Sequence, residues 1–336
     1  MNKTHKVTFG IVNCNRLHYL KSCLESLLHC TDDYGNKEVI VVDNASIEDG
    51  TDEYLVELKA RGIMVFKQQE RDPSNEFANA LNIIRNNATG DFIVPLQGDM
   101  QFILQGNWLK KYVDFYWNHI DEVGCILLDA QRSITNSSHR YSHPENSDDA
   151  YKFVYDLNRP PINGAADVMY SKQVLDMIGP WKNKDNLSHE GGNDSETDML
   201  MRTGALIKDN NLKLFCAAPL LPPAVAIYTD KRGTMARIRG NKRYGEYWAP
   251  KTDFRYYEIF NFDDCELSPD IRIPVGLEQL ARPIGWQQPI DKNGNWMKNP
   301  IKPETATKND YVVLYGEDDT GVVKADDEYL DEWLDD

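Results

Sequence analysis

Between residues 7 and 96 the chain runs through seven segments of alternating period, and this restricts its fold more than any other feature. Residues 7–12, 39–42, 63–66 and 92–96 are short apolar runs of strand type. Between them lie 16–30, 51–60 and 75–85, with apolar residues at helical spacing; the first places Leu17, Leu20, Cys23, Leu24, Leu27 and Leu28 on one stripe. Strands that alternate with helices imply a parallel sheet with right-handed crossovers. The last run ends Leu96-Gln97-Gly98-Asp99, which delivers an acidic residue at a strand's carboxyl end. In open α/β sheets ligands bind at that edge.

The pattern continues less regularly. Residues 108–117 read as an amphipathic helix and 124–128 as a strand. The polar, His-containing stretch 136–149 reads as a loop. A strand is expected at 165–170, helices at 171–178 and 195–203, and a strand at 212–217. Beyond about residue 250, prolines, glycines and asparagines dilute the periodicity. The expected organisation is a domain over 1–250, with a nucleotide-binding half at 1–100 and an acceptor-side half at 101–250. An irregular extension would follow over 251–315 and an acidic tail over 316–336.

The formal net charge of −16 opposes a broad nucleic-acid surface. Residues 317–336 hold ten acidic side chains and one lysine, −9 in all, so the remainder carries −7. The tail reads as a solvated appendage or as a docking segment for a basic partner, with Trp333 and Leu334 among its acids. No apolar run reaches the roughly 20 residues of a membrane span. Met1 to Lys6 lead directly into the first strand without a signal-peptide core. The six cysteines form no C-x-x-C pair and are expected as reduced thiols in a cytoplasm. A phosphate-binding G-x-x-x-x-G-K-[ST] loop, a zinc-protease H-E-x-x-H helix and a G-x-S-x-G elbow are all missing from the sequence.

Four patches, in order, carry a family likeness. The first is Val7-Thr8-Phe9-Gly10-Ile11-Val12-Asn13-Cys14-Asn15-Arg16 with Tyr19-Leu20 and Cys23-Leu24. The second is Val39-Ile40-Val41-Val42-Asp43-Asn44-Ala45-Ser46 with Asp49-Gly50-Thr51. The third joins Ala78-Asn79-Ala80-Leu81-Asn82 to Gly90-Asp91 and Leu96-x-x-Asp99. The fourth is Ile178-Gly179-Pro180-Trp181 followed by Glu196-Thr197-Asp198-Met199-Leu200-Met201-Arg202. Over about residues 6–245 the chain resembles the family 2 glycosyltransferases of the GT-A fold. The resemblance implies an α/β fold, GT-A-like, with a mainly parallel nucleotide-binding sheet flanked by helices. It implies an enzyme that moves a sugar from a nucleoside diphosphate donor, UDP-linked, to a hydroxyl on a glycan or other acceptor, with inversion.

The same resemblance assigns roles. Asp43 would accept from a uracil N–H, with Asn13, Asn15 and Asn44 lining the pocket; helix-capping and turn roles are the alternative for these residue types. Asp99 would ligate Mg²⁺ or Mn²⁺ bridging the diphosphate, since hard cations take carboxylate, phosphate and water oxygens. Relatives normally end this strand Leu-Asp-x-Asp, and here Gln97 stands at the first acid, keeping a carbonyl oxygen but no charge. The metal-ligating histidine that many relatives carry late in the domain has no counterpart in 226–230, where Asp230 is the nearest candidate. Residues 231–243 instead hold six basic side chains in thirteen. From these, Arg237 and Arg239 would neutralise the leaving group, the other reading being a solvated helix face. Glu196 aligns with the catalytic base, with Asp194 second; acids in a first helical turn also complement the helix dipole. The aromatics Tyr244, Tyr247, Trp248, Tyr256, Tyr257 and Phe260 read as core or interface, or as a platform for a sugar acceptor.

Two other functions are compatible with parts of this pattern. Gln97 and the missing histidine suit a catalytically impaired relative that binds a glycan or nucleotide. A nucleotidyltransferase would need a Gly- and Lys-rich loop after the first strand, where Asn13-Cys14-Asn15-Arg16 stands.

Overall fold

The structure is a computed structural model that describes residues 4–129, 141–142, 153–156, 166–187, 195–210, 212, 214–219, 221–227, 245–250, 254–255, 259–264, 311–318 and 321–322. The seven expected segments are present as β1 (Val7–Asn13), α1 (Leu17–Cys30), β2 (Lys37–Asp43), α2 (Thr51–Ala60), β3 (Met64–Lys67), α3 (Glu76–Asn87) and β4 (Phe92–Gln97). Next come β5 (Met100–Phe102), β6 (Leu104–Gln105), α4 (Trp108–Asn118) and β7 (Val123–Leu127). Two short strands, β8 (Tyr141–Ser142) and β9 (Phe153–Asp156), precede β10 (Val168–Ser171) and α5 (Lys172–Ile178). The order ends with α6 (Ser195–Asn210), β11 (Phe215–Pro219), β12 (Ala224–Ala226), β13 (Gly245–Pro250), β14 (Phe260–Asn261), β15 (Tyr311–Asp318) and β16 (Gly321–Val322).

Among the described residues nine strands form the central sheet, in the order β3-β2-β1-β4-β10-β7-β11-β9-β8. The first four run parallel, as their helical crossovers require. Alternate residues of each strand face opposite layers. Phe9, Ile11, Val41, Val94 and Leu96 pack with apolar residues of α1, α2 and α4, while Ile40, Val42 and Ile93 pack with those of α3, α5 and α6. Gly10 lets α3 approach closely, because a Cβ there would lie 2.2 Å from an Ile84 methyl. On the amino-terminal edge Glu38 gathers Lys6 Nζ at 2.6 Å, Thr8 Oγ1 at 2.6 Å and the Thr89 amide at 2.7 Å. Burial alone would raise its pKa, but these donors prevail and hold it at about 2.

Several boundaries differ from expectation for identifiable reasons. The strand expected at 165–170 starts only at Val168, because Asp167 is left-handed at φ 65°. The 136–149 loop contains β8, which pairs antiparallel with β9. Helix α6 continues to Asn210, past residue 203. The boundary drawn at 315/316 falls inside β15, which pairs with β13 over 311–316 and with β16 over 317–318, so Gly316, Glu317 and Asp318 are in a strand. Phe260 packs against the main core, whereas Tyr244, Tyr256 and Tyr257 lie outside the described residues.

Candidate active site

The connection leaving β1 runs toward β2, and the one entering β4 returns from β3 on the far side. The carboxyl ends of β1 and β4 therefore flank a topological switch point, the crevice where open α/β sheets bind ligands. Register pairs Val12 with Gln97 and Asn13 with Asp43, which brings three strand exits to one level. Gly98 follows Gln97 directly, and a Cβ there would sit 2.9 Å from the Val12 carbonyl oxygen. Glycine thus lets the β4 exit hug β1.

Asp43 organises the β1 and β2 exits. Its Oδ1 accepts from Asn13 Nδ2 at 2.7 Å and Ser46 Oγ at 2.6 Å, and its Oδ2 accepts from the Ser46 amide at 2.9 Å. Ser46 Oγ in turn accepts from the Asn15 amide at 2.7 Å, and Asn15 Oδ1 accepts from the Ile47 amide at 3.0 Å. Asn44 donates its amide to the Asn13 carbonyl and accepts at Oδ1 from Gln68 Nε2 at 2.5 Å. All four expected residues, Asn13, Asn15, Asp43 and Asn44, are buried in one network. The Asp43 carboxylate is withdrawn from solvent and committed to holding the loop.

At the amino terminus of α1 a carboxylate from a distant loop takes the first helical amide. Asn15 and Arg16 are left-handed, and the Leu17 amide donates to Glu48 Oε2 at 2.5 Å. A carboxylate at a helix start satisfies free amides and complements the dipole. Burial lowers the pKa of neighbouring His18, partly opposed by Glu48.

At the β4 exit the backbone is held from several sides. Gln97 donates its amide to Asp167 Oδ1 at 2.9 Å and accepts at its carbonyl from Cys23 Sγ at 3.8 Å. The Asp99 carbonyl accepts from the Ile227 amide at 2.6 Å, just beyond β12, which pairs with β5. The half-exposed Asp99 carboxylate accepts no hydrogen bond among the described residues. Burial pushes the Cys23 thiol well up, and the charges of Asp167 and Asp99 add to that. No group of three or more His, Cys, Asp or Glu able to hold a metal occurs among the described residues.

Glu196 stands in the first turn of α6 and is half-buried. Two residues on, Asp198 is fully buried and accepts from Arg202 Nε at 2.6 Å. Arg202 also donates to the Ile178 and Pro180 carbonyls at 2.7 and 2.8 Å, which docks α6 onto the end of α5. Asp194, Asp230, Arg237 and Arg239 lie outside the described residues.

The family model for Glycosyl transferase family 2 matches residues 8–178, half of the chain. The chain belongs to this family. The family 2 match contains every expected strand-exit residue from Asn13 to Asp99, and ends before Glu196. No curated protein matches the chain. Among solved structures, TarS 1-349 of S. aureus in complex with UDP is 17% identical, with a TM-score of 0.46 over 66% of this chain and 61% of that one. The mannosyltransferase PcManGT from Pyrobaculum calidifontis, in complex with GDP-Man and Mn²⁺, is 19% identical, with a TM-score of 0.41 over 58% of this chain and 51% of that one. The chain thus covers less than two thirds of either neighbour.

Sequence reasoning on this family 2 member missed Asp167 and Glu48. Neither lies in a motif, and each acts on a residue distant in the chain. The one available signal for Asp167 was an acidic residue placed directly before the apolar run Val168-Met169-Tyr170. No helix is long and apolar enough to cross a membrane among the described residues.

Proposed function

We propose that this chain transfers a sugar from a UDP-linked donor to an acceptor hydroxyl, with inversion. The observation that carries this is the convergence of the β1, β2 and β4 exits at the switch point of a family 2 domain, with the Asp99 carboxylate in a half-exposed turn beside it. Asn13, Asn15, Asp43 and Asn44 build the wall against which the nucleoside lies.

The donor set supports a divalent cation shared with the donor. It offers one carboxylate from Asp99, with Gln97 to orient the ribose or a metal-bound water, and Mg²⁺ commonly takes only one or two carboxylates together with phosphate and water oxygens. Mn²⁺ or Mg²⁺ held there supplies Lewis-acid stabilisation of the leaving diphosphate. Arg237 and Arg239 add positive charge; what supports them is the tether at Ile227, whose amide is bonded to Asp99 only a few residues before the basic segment starts.

In the reaction the acceptor oxygen bonds to the anomeric carbon as the bond from that carbon to the diphosphate oxygen breaks. Glu196 takes the hydroxyl proton, with Asp194 as the alternative base. The products are the inverted glycoside and the nucleoside diphosphate. A glycan fits the acceptor requirement, and six cysteines without a C-x-x-C pair suit a reducing, cytoplasmic setting. The acidic tail is read as a solvated appendage, with docking to a basic partner as the second reading.

The test is a screen of UDP-, GDP- and dTDP-sugars with Mn²⁺ or Mg²⁺, reading nucleotide release and thermal shift. Turnover that is lost in both Glu196→Gln and Asp99→Asn supports the enzyme. Binding without turnover, unchanged in Glu196→Gln, identifies a binding protein on a transferase scaffold, the reading that Gln97 favours.

A further inference from the structure

We propose that Asp167 is a positioning residue that sets the Gln97-Gly98-Asp99 turn, and through it the donor-binding strength of the site. The second half of this rests on the function proposed above; the first half does not.

The need for such a residue originates at Pro95. Proline in a central strand lacks the N–H that a neighbouring strand would engage. Strand β10 pairs with β4 at Tyr170–Ile93 and Ser171–Phe92, and the regular ladder ends there. Beyond it, the Asp167 amide donates to the Pro95 carbonyl at 2.6 Å. Its side-chain Oδ1 then accepts the Gln97 amide at 2.9 Å, in the place where a strand carbonyl would have stood. One residue thus extends the β10 edge past the proline, first with backbone and then with side chain. The Asp167 carbonyl also accepts from the Leu128 amide at 3.1 Å, tying the same point to the β7 exit.

The backbone geometry shows why an Asp serves here. At φ 65° the residue is left-handed, a conformation tolerated by Gly, Asn and Asp but costly for most side chains. Gly would permit the turn and offer no acceptor. Asp167 is 3% exposed, so it acts on the site through Gln97 and not by touching a ligand. With Cys23 on the Gln97 carbonyl and Ile227 on the Asp99 carbonyl, the turn is fixed on both sides of Gly98.

The experiment compares Asp167→Asn and Asp167→Gly in the full chain. Asn keeps both the acceptor oxygen and the left-handed backbone; Gly keeps only the backbone. The first readout, amide exchange at Gln97, requires no ligand. Asp167→Gly should speed it about tenfold, the equivalent of one buried hydrogen bond, while Asp167→Asn stays near wild type. The second readout is affinity for UDP with Mn²⁺, which should weaken about tenfold in Asp167→Gly and recover in Asp167→Asn. Unchanged Gln97 exchange in Asp167→Gly overturns the positioning role. Faster exchange with unchanged UDP–Mn²⁺ affinity overturns its link to the site. If wild type itself does not bind UDP with Mn²⁺, the proposed function and that link fail together, and the exchange result still decides whether Asp167 sets the turn.

Discussion

The Ile227 amide closes on the Asp99 carbonyl at 2.6 Å, so the backbone of the β4 exit is committed while its carboxylate is not. Asp99→Asn should therefore separate stability from binding. Folding free energy should stay within about 0.5 kcal/mol of wild type, as for surface changes away from special features. Mn²⁺-dependent nucleotide affinity should fall at least tenfold. Urea denaturation and calorimetric titration check the two halves.

Asp43 behaves oppositely. Three donors converge on its carboxylate, and an amide in its place sets a donor against one of them whichever way it is turned. Asp43→Asn should cost about 1–3 kcal/mol, and Ser46→Ala about 1 kcal/mol. Denaturant midpoints measure both, and additivity should fail because the residues share one network.

Glu38 makes stability depend on pH. Its folded pKa lies at about 2, below the value of 4.5 expected for an unfolded glutamate. Its contribution is fully present above pH 4.5 and is lost as pH falls from there toward 2. Urea midpoints against pH should drop in that window for wild type and drop less for Glu38→Gln.

Gly10→Ala would drive a methyl into Ile84 and should cost about 1–3 kcal/mol by overpacking. Adding Ile84→Ala should recover part of that loss, although Ile84→Ala alone also destabilises. A double-mutant cycle read by thermal unfolding gives the coupling.

Arg202→Ala removes three hydrogen bonds and leaves the Asp198 carboxylate buried without its guanidinium. A loss of about 3 kcal/mol is expected, with α6 loosened against α5. Arg202→Lys should recover less than half, because an ammonium cannot reproduce the planar fork. If Glu196 is the base, both variants should lower kcat more than donor affinity.

The first half of the fold was legible because local periodicity determines it: Leu17, Leu20 and Leu24 declare a helix, and Val39 to Val42 declare a strand without reference to anything distant. The insertion of β10 between β4 and β7 was not legible, since antiparallel pairing across such separation leaves no periodic mark. Strands of two or three residues, such as β6 and β12, exist only because a partner is present. In the site, Asn13, Asp43 and Asp99 were visible as polar residues closing apolar runs. That Asp43 is committed to Ser46 while Asp99 is not depends on loop geometry, which composition does not encode.

The Glu48 carboxylate at the Leu17 amide has a consequence for which ligands the crevice will admit. Many doubly wound proteins greet a phosphate with a bare helix start; here that seat is taken by the chain's own anion. A phosphate approaching the start of α1 would meet the negative charge of Glu48. If the proposed donor binds there, the crevice should favour the cation-chelated diphosphate over the free one, so that the supply of Mg²⁺ or Mn²⁺ would govern occupancy as directly as the nucleotide concentration does.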